Sequence, residues 1–382
     1  MLRRIVIKNI NSIKECEIDF NRGNYKFGNE NILGDVVNPI AIYGHNGSGK
    51  SSVLNAIGMF ISFFYFPVEA LSPFTVNDFL YQEYVKGNKV DKDKIKGSIL
   101  LDFKINDDCF TYFLETSLDN YVSNEFLKIN GETYFQRINK ECIYKGNAFD
   151  VKDYSPLVPL LRVLASIEIT DTVVQTVFAY ISSFTFVNLS FINRGNFVIS
   201  KLFNNININD LLVKKSDEVK ELLKEYDNFP IYTIKKNNVM TPNGLVASQY
   251  SLIFDEDGFK KQLPLRMIST GMHNQSLLLS IVATVPPNGV IFIDEVDLAL
   301  HPSTIKSFLK VIRDKHIQVV FTLHNTYALQ MLRPDQVYFA KWSKGFSSYY
   351  RLSKIYPNIR EINNIEKMYL SSVFDGAIED NE

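Results

Sequence analysis

The segment that most constrains the fold is residues 44–51, which read GHNGSGKS and match the pattern G-x-x-x-x-G-K-S/T in full. The apolar residues 39–43 precede it, and the helix-like residues 52–57 follow it. This order of strand, loop and helix is the setting of a phosphate-binding loop. Glycines let backbone N–H groups turn inward around phosphate oxygens, and a helix N-terminus favours an anion. The segment therefore predicts a nucleotide site; a Gly/Ser-rich turn is the alternative interpretation.

Side chains of this loop have predicted roles. Lys50 is expected to reach the terminal phosphates during catalysis, and Ser51 to offer its hydroxyl oxygen to Mg2+. The residues assigned to nucleotide binding are Gly44, His45, Asn46, Gly47, Ser48, Gly49, Lys50, Ser51 and Ser52.

A second pattern is an apolar run, residues 290–293, followed by Asp294 and Glu295. An apolar strand of this kind is expected in the middle of a parallel sheet, beside the strand of the phosphate-binding loop. Asp294 is then predicted to hold Mg2+. Glu295 faces the other way, which suits a general base or a group that orients the attacking water. An acidic cap between a strand and a loop is the alternative interpretation.

Ser269 and Gly271 form a third pattern. They precede a helix-like segment, residues 275–285, so they are predicted to lie at a helix N-terminus. Free N–H groups and the helix dipole at such a point favour a bound anion. Both residues are therefore candidates for contact with a nucleotide.

Together with residues 294–297 (DEVD), 300–302 (LHP) and 322–325 (TLHN), this Ser-x-Gly pattern resembles the ABC-type ATPase superfamily. It is most similar to the soluble branch that contains the OLD-like and SMC-related ATPases. Thr270 and Met272 depart from the transporter form of the signature. The resemblance covers the start of the chain through the phosphate-binding loop, together with residues 263–382.

The resemblance implies ATP and Mg2+ as cofactors. It places residues 300–302 in the D-loop region and makes His324 the switch histidine that contacts the terminal phosphate. A capped histidine at the end of a buried strand is the alternative for His324. Such ATPases also have a glutamine near Mg2+ or the attacking water. Gln82 is the candidate, and a glutamine on a surface helix is its alternative.

The implied fold class is α/β: an ABC-type P-loop NTPase head with a mixed β lobe and an inserted helical subdomain. Apolar residues alternate with polar ones within residues 5–20 and 97–116, which predicts two antiparallel hairpins. Longer apolar or amphipathic runs predict helices between residues 157 and 224. The predicted division is an N-terminal ATPase lobe (1–150), a helical insert with a returning β segment (151–262) and a C-terminal ATPase lobe (263–382).

Composition narrows the function classes. With 382 residues, 46% of them hydrophobic, the chain can bury a large core and is not disordered. Its net charge of -1 gives no overall attraction to nucleic acid. The basic strip within residues 86–96 is interpreted as a solvated loop or hairpin edge, with a local nucleic-acid contact as the alternative. Three widely spaced cysteines argue against a disulfide framework or a zinc site. Apolar runs are too short for a membrane span, so we expect a cytoplasmic protein.

By the resemblance, ATP would lie between Lys50 of one copy and both Ser269 and Gly271 of another. The predicted partner is thus a second copy, in a two-fold dimer or a higher assembly of dimers. The leading hypothesis is an ATPase whose nucleotide-dependent dimerisation controls a separately encoded effector, in bacterial anti-phage defence.

Two other functions stay open. One is a DNA-binding repair or maintenance ATPase of the SMC-related type, and the other is a nucleotide-gated scaffold with little turnover. A fused nuclease is not expected, because the segment after Trp342 has no paired metal-binding acids. Residues 367–374 fit either a packed C-terminal helix or a docking site for a partner.

Overall fold

The computed structural model describes residues 1–23, 31–65, 96–117, 122–151, 154–168, 170–189, 198–199, 208–225, 230–240, 243–256, 259–359 and 363–374. Gln82 lies outside the described residues, as does the basic strip up to residue 95.

Twenty strands are named along this part of the chain. They are β1 (Leu2–Ile10), β2 (Ile13–Asp19), β3 (Ile32–Leu33), β4 (Val36–Val37), β5 (Ile40–Tyr43), β6 (Lys96–Ile105), β7 (Asp108–Ser117), β8 (Val122–Ile129), β9 (Glu132–Ile138), β10 (Glu141–Tyr144), β11 (Asn147–Phe149), β12 (Thr185–Asn188), β13 (Val198–Ile199), β14 (Tyr232–Met240), β15 (Val246–Glu256), β16 (Phe259–Pro264), β17 (Val290–Asp294), β18 (Gln318–Thr322), β19 (Val337–Ser343) and β20 (Phe346–Arg351).

The α-helices of the described residues are α1 (Lys50–Tyr65), α2 (Leu160–Ile167), α3 (Thr172–Ile181), α4 (Ile208–Lys214), α5 (Ser216–Leu223), α6 (Thr270–Thr284), α7 (Pro302–Asp314), α8 (Leu352–Ile355) and α9 (Ile365–Leu370). Short 3-10 turns occupy Leu265–Met267, Val296–Leu298, Thr326–Gln330 and Pro334–Gln336. Within the described residues, no helix is both long and apolar enough to cross a membrane.

One mixed sheet of fifteen strands organises the molecule, in the order β11-β10-β9-β8-β7-β6-β1-β2-β20-β19-β5-β18-β17-β12-β13. Its centre, from β19 to β12, is parallel throughout. Every residue of β5, β17 and β18 is buried, as expected for strands covered on both faces. The strand that carries Asp294 was predicted to lie beside β5. Instead β18 lies between them, because it pairs with both neighbours.

The first lobe is an antiparallel meander from β6 to β11 that continues the sheet through β1 and β2. Both predicted hairpins are present, as β1–β2 and β6–β7. Along β6 buried and partly exposed residues alternate, which is the pattern of a strand with one covered face. The mixed sheet, with helices packed on both of its faces, confirms the predicted α/β class.

Two apolar clusters cover the two faces of the sheet. In β5, Ile40 and Ile42 belong to the cluster that contains α1 and the first lobe. Ala41 and Tyr43 belong to the cluster that contains α6 and α7. Because successive side chains of a strand point to opposite faces, β5 is anchored on both sides. Its C-terminal end is therefore a rigid point from which to start a loop.

Residues 151–262, which were predicted to form an insert, contribute to several parts of the fold. Helices α2 and α3 pack on the first-lobe cluster, and β12 joins the central sheet beside β17. Helices α4 and α5 pack against α6 and the separate sheet β14-β15-β16. Asp210 lies inside α4 and is paired with Lys236 of β14.

Candidate nucleotide-binding site

Residues 44–49 form the loop between β5 and α1. Gly44, Gly47 and Gly49 all have positive φ, of 154°, 80° and 95° respectively. A Cβ at Gly44 would collide with the carbonyl oxygen of Ala340, and one at Gly49 with Oγ of Ser347. Glycine is required at these two positions because the loop packs directly against β19 and β20.

Hydrogen bonds hold this loop from behind. Ser12 Oγ lies 2.8 Å from Ser347 Oγ and donates to Ser52 Oγ over 3.0 Å. The hydroxyl of Tyr349 donates to the carbonyl oxygen of Gly49 over 2.7 Å. The loop is thus fixed to β20, and the start of α1 is fixed to the β1–β2 turn. These supporting residues were not predicted, since their partners are distant in the sequence and no local motif marks them.

The loop also brings polar groups to its inner side. Lys50 Nζ donates to the carbonyl oxygens of Gly44 (2.8 Å) and His45 (3.1 Å). Burial lowers the pKa of Lys50, and the nearby acids Asp294 and Asp297 oppose that shift. Ser48 Oγ is buried and has no hydrogen-bond partner among the described residues. An orphaned hydroxyl and an ammonium group in a glycine cradle fit the phosphates of a nucleotide.

Asp294 is the centre of a second group of contacts. Its Oδ1 accepts from Ser51 Oγ (3.0 Å) and Thr322 Oγ1 (2.6 Å), and its Oδ2 accepts from Asn188 Nδ2 (3.0 Å). Burial raises the pKa of Asp294, while the hydrogen bonds from Thr322 and Ser51 act against the shift. The predicted pair of Ser51 and Asp294 is therefore brought together. One carboxylate and one hydroxyl oxygen fit Mg2+, which takes few protein ligands and keeps several waters.

Asn188 was not identified from the sequence. It ends β12 and lies opposite Asp294 in the parallel register of β12 and β17. Its amide lies next to Asp294, near the predicted Mg2+ site at which a glutamine was expected. A polar amide directly after an apolar strand was the available signal, but nothing local indicated that β12 is the neighbour of β17.

Glu295 follows Asp294 in a left-handed conformation, with φ 57° and ψ 52°. Its backbone N–H donates to Thr322 Oγ1 over 2.8 Å, which fixes the turn. The side chain is half-buried; burial raises its pKa, and the charge of Asp294 raises it further. A carboxylate with a raised pKa at the end of a central strand is a stronger base than an ordinary glutamate, which suits the acceptance of a proton from water.

His324 follows the end of β18. Its backbone N–H and that of Asn325 donate to Asp297 Oδ2, over 2.8 and 3.0 Å. The imidazole is exposed rather than capped in the core, which removes the alternative interpretation of this residue. Its proximity acts to lower the pKa values of Asp294 and Glu295. His324 therefore lies at the same sheet edge as the two acids.

The contacts described for Ser269 and Gly271 are separate from those of Asp294, Glu295 and His324. Ser269 is the N-cap of α6, where its Oγ accepts from the N–H of Met272 over 3.2 Å. Both residues are exposed, and a Cβ at Gly271 would meet nothing within 4 Å. Asn274 ties the same helix to the turn after Asp294, through the carbonyl oxygen of Leu298. The helix tip is thus a surface feature held in a fixed relation to β17.

The family described as "AAA domain, putative AbiEii toxin, Type IV TA system" matches residues 40–330. The chain belongs to this family. The match begins at β5, includes the phosphate-binding loop and the Asp294 cluster, and ends with the turn after His324. No curated protein matches this chain in sequence.

Among solved structures, an Smc head bound to the C-winged helix domain of ScpA is similar at a TM-score of 0.52 and 15% identity, over 92% of this chain and 99% of that one. The Smc head domain of Thermotoga maritima gives 0.44 at 15% identity, over 92% and 98% of the two chains. An Smc head with a coiled coil and joint from Pyrococcus yayanosii gives 0.48 at 10% identity, over 97% and 99%. The first likeness establishes the fold. Family and fold together make the chain a P-loop AAA domain with a fold like that of an Smc head.

Proposed function

We propose that this family member binds ATP with Mg2+ and hydrolyses it, at a site that two copies complete together. The observation that carries the proposal is the joining of the two motifs: Ser51 of the phosphate-binding loop donates to Asp294 at the end of β17. In a P-loop ATPase this pairing brings the metal-binding hydroxyl to the metal-binding acid.

Different residues of the chain are assigned to phosphate binding, metal binding and proton transfer. Lys50 and the loop N–H groups bind and orient the phosphates, while Ser51 and Asp294 would hold Mg2+. Bound there, Mg2+ would neutralise charge that develops on the phosphate oxygens. Glu295 aligns a water and accepts its proton, and His324 donates a hydrogen bond to the terminal phosphate.

The proposal includes a second copy because Ser269 and Gly271 are exposed at the tip of a fifteen-residue helix. A two-fold pairing would bring that tip to the phosphates held by the partner, where free N–H groups favour an anion. We retain residues 1–150, 151–262 and 263–382 as the proposed division, with β12 of the middle segment joined to the central sheet.

For the biological role we propose control of a separate effector in the bacterial cytoplasm, in anti-phage defence. The family description, which mentions a putative toxin and a type IV TA system, supports a role of this kind. A similar Smc head was solved with a domain of ScpA bound, which supports a partner protein. That same likeness favours a second candidate, a DNA-binding maintenance ATPase. DNA-stimulated turnover that falls steeply with salt would distinguish it.

A sedimentation experiment with Glu295→Gln tests the site and the pairing. The variant should bind Mg-ATP, turn it over only very slowly, and sediment as a dimer only when Mg-ATP is present. Adding Lys50→Ala to the same chain should abolish binding and dimer together. A Glu295→Gln protein that binds Mg-ATP and stays monomeric at saturation would contradict the shared site.

A further inference from the structure

The short helix α9 lies between two loops of the candidate site. The Tyr369 ring stacks on His45 of the phosphate-binding loop, with ring centroids 6.5 Å apart and planes inclined by 26°. It also stacks on Phe339 of β19 at 5.2 Å and 10°, and lies 6.2 Å from the ring of Tyr43. These separations are in the range of attractive aromatic pairs. Tyr369 thus fixes the exposed side chain of the loop to the central sheet.

The same helix holds the segment after His324. Glu366 accepts a hydrogen bond from Thr326 Oγ1 over 2.8 Å and a second from the side-chain amide of Gln330. Thr326 and Gln330 are the first and last residues of the 3-10 turn that follows His324 and Asn325. Glu366 therefore fixes both ends of that turn.

Glu366 and Tyr369 are three residues apart, so they lie on one face of α9. A helix of six residues is marginal on its own. Its placement depends on caps and packing: Asn364 Oδ1 accepts from the N–H of Lys367 over 2.9 Å, and the buried Phe374 stacks on Phe339 at 5.1 Å. One face of one short helix therefore links the phosphate-binding loop to the histidine segment.

We propose that Tyr369 and Glu366 are positioning residues of the nucleotide site, acting through His45 and through the segment of His324. The inference rests on the proposed function and extends it. The backbone carbonyl of His45 accepts from Lys50 Nζ and from the N–H of Ser48, each over 3.1 Å. A shift of His45 would therefore displace the groups that hold the phosphates. A shift of Thr326 would displace His324, two residues before it.

The two positioning residues should affect different steps. Tyr369 supports a loop that binds the ground-state nucleotide, so its loss should weaken affinity. Glu366 supports a side chain proposed to contact the terminal phosphate during hydrolysis, so its loss should lower kcat. This split separates positioning from a general loss of stability, which would lower active protein without changing either constant selectively.

The first experiment compares Tyr369→Leu with Tyr369→Phe, by calorimetric titration of Mg-ATP and by turnover. Tyr369→Leu should raise the Kd by about threefold to tenfold, the factor of one aromatic pair, with kcat at saturation little changed. Tyr369→Phe keeps the ring and should restore the affinity. Tyr144→Leu is the matched control, because Tyr144 packs edge-on against Phe149 in the first lobe. An unchanged Kd in Tyr369→Leu would overturn the role of Tyr369.

The second experiment combines Glu366→Ala with His324→Ala. Glu366→Ala should lower kcat about tenfold with KM unchanged, and should have no further effect once His324 is removed, because coupled residues are not additive. Glu366→Gln keeps one acceptor and should fall between. Glu225→Ala removes a comparable glutamate, paired with Lys310, and should have no effect. Additive losses in the double variant, or an unchanged kcat in folded Glu366→Ala, would overturn the role of Glu366.

The wild-type protein is measured first. Failure of wild type to bind or hydrolyse Mg-ATP would count against the proposed function. Normal wild-type activity with unaltered constants in the Tyr369 and Glu366 variants would count against the positioning role alone. Thermal melts identify a variant that does not fold. If Glu366→Ala does not fold, Glu366→Gln replaces it. If Tyr369→Leu does not fold, His45→Ala removes the exposed partner of the Tyr369 ring and should raise the Kd in its place.

Discussion

Asp294 illustrates how single residues make this site. A carboxylate that is 1% exposed would be costly without partners, and its three donors come from α1, β12 and β18. The hydrogen bonds of Asp294 therefore form only when three separate segments of the chain are correctly assembled. A metal ion bound at Asp294 and Ser51 would depend on the orientation that Asn188 and Thr322 impose.

Replacing Asn188 by alanine should expose this dependence. Without the Nδ2 donor, Asp294 Oδ2 loses a buried hydrogen-bond partner, which should lower the free energy of unfolding by about 1–3 kcal/mol. The carboxylate is then also less firmly oriented. The Mg2+ concentration that gives half-maximal turnover should rise several-fold, while the Kd for metal-free ATP stays near the wild-type value. A metal titration of turnover measures the effect. Equal Mg2+ requirements in the two proteins would contradict a role of Asn188 at the metal.

Glu295 makes the pH dependence of turnover a test of its role as a base. Burial and the charge of Asp294 raise its pKa, so the carboxylate forms at higher pH than in an ordinary glutamate. If this form is required, kcat should fall as pH decreases through the raised pKa. The acid limb should therefore lie at higher pH than that of an ordinary glutamate.

The measurement is kcat at saturating Mg-ATP across acid and neutral pH. Residual turnover of Glu295→Gln should lack this limb. The same limb in Glu295→Gln would assign it to another group, with Asp294 the first alternative because burial raises its pKa as well.

At the scale of elements, helix α3 depends on one acid at its start. Asp171 is the N-cap and accepts from the N–H groups of Val173 and Val174. It also accepts from the hydroxyls of Tyr134 and Tyr144 and pairs with Lys145 at 2.8 Å. Burial alone would raise the pKa of Asp171, but these donors outweigh it and hold the pKa well below its usual range. Asp171 thus joins α3 to the β9–β10–β11 region.

Asp171→Asn keeps an oxygen for the cap and removes the charge. At neutral pH we expect a loss of about 1–2 kcal/mol in the free energy of unfolding. The folded-state pKa is depressed, so this stabilisation is present above the unfolded pKa of about 3.9 and is lost as pH falls through the folded value. Urea unfolding at several pH values should show the two proteins converging below about pH 4. A constant difference over that range would contradict the assignment.

The elements that could be predicted from the sequence are those whose signal is local. The strand, loop and helix around Lys50 and the apolar strand before Asp294 carry their periodicity and chemistry within a few residues of each other. The structure brings Ser51 and Asp294 into contact, as the motifs indicated. The roles assigned to Lys50, Glu295, His324, Ser269 and Gly271 stay predictions.

Other parts could not be predicted because their partners are remote in the chain. Ser12 and Ser347 meet behind the loop although 335 residues separate them. Asn188 lies next to Asp294 only because β12 pairs with β17, a choice that no local pattern encodes. The order of β5, β18 and β17 was missed for the same reason. For residues 367–374, the packed-helix alternative describes the placement of α9 and Phe374.

At the scale of the whole molecule, the shared-site proposal predicts complementation between two inactive proteins. Lys50→Ala lacks the phosphate ligand, and Ser269→Arg blocks the exposed helix tip with a bulky side chain. A mixed dimer contains one intact site, formed by Lys50 of the Ser269→Arg copy and Ser269 of the Lys50→Ala copy. Mixing the two proteins should therefore restore ATP turnover that neither shows alone.

The control is a protein that carries Lys50→Ala and Ser269→Arg in the same chain. A dimer of this protein with wild type contains no intact site, so mixing the two should add no turnover to that of wild type. Recovery should rise with total protein concentration, as expected for association. Full activity of Ser269→Arg by itself would contradict a role for the helix tip in the partner's site.

The length of the central sheet has a consequence for the aggregation of this protein. Fifteen strands in one open sheet would offer two long rows of unpaired backbone groups, which invite foreign strands and fibrous growth. The terminal members among the described strands are β11, with three residues, and β13, with two. Strands this short have few unpaired backbone groups with which another chain could form hydrogen bonds. Growth of this sheet from one copy into the next is therefore disfavoured at its described ends, and copies of the protein should recognise each other through other surfaces.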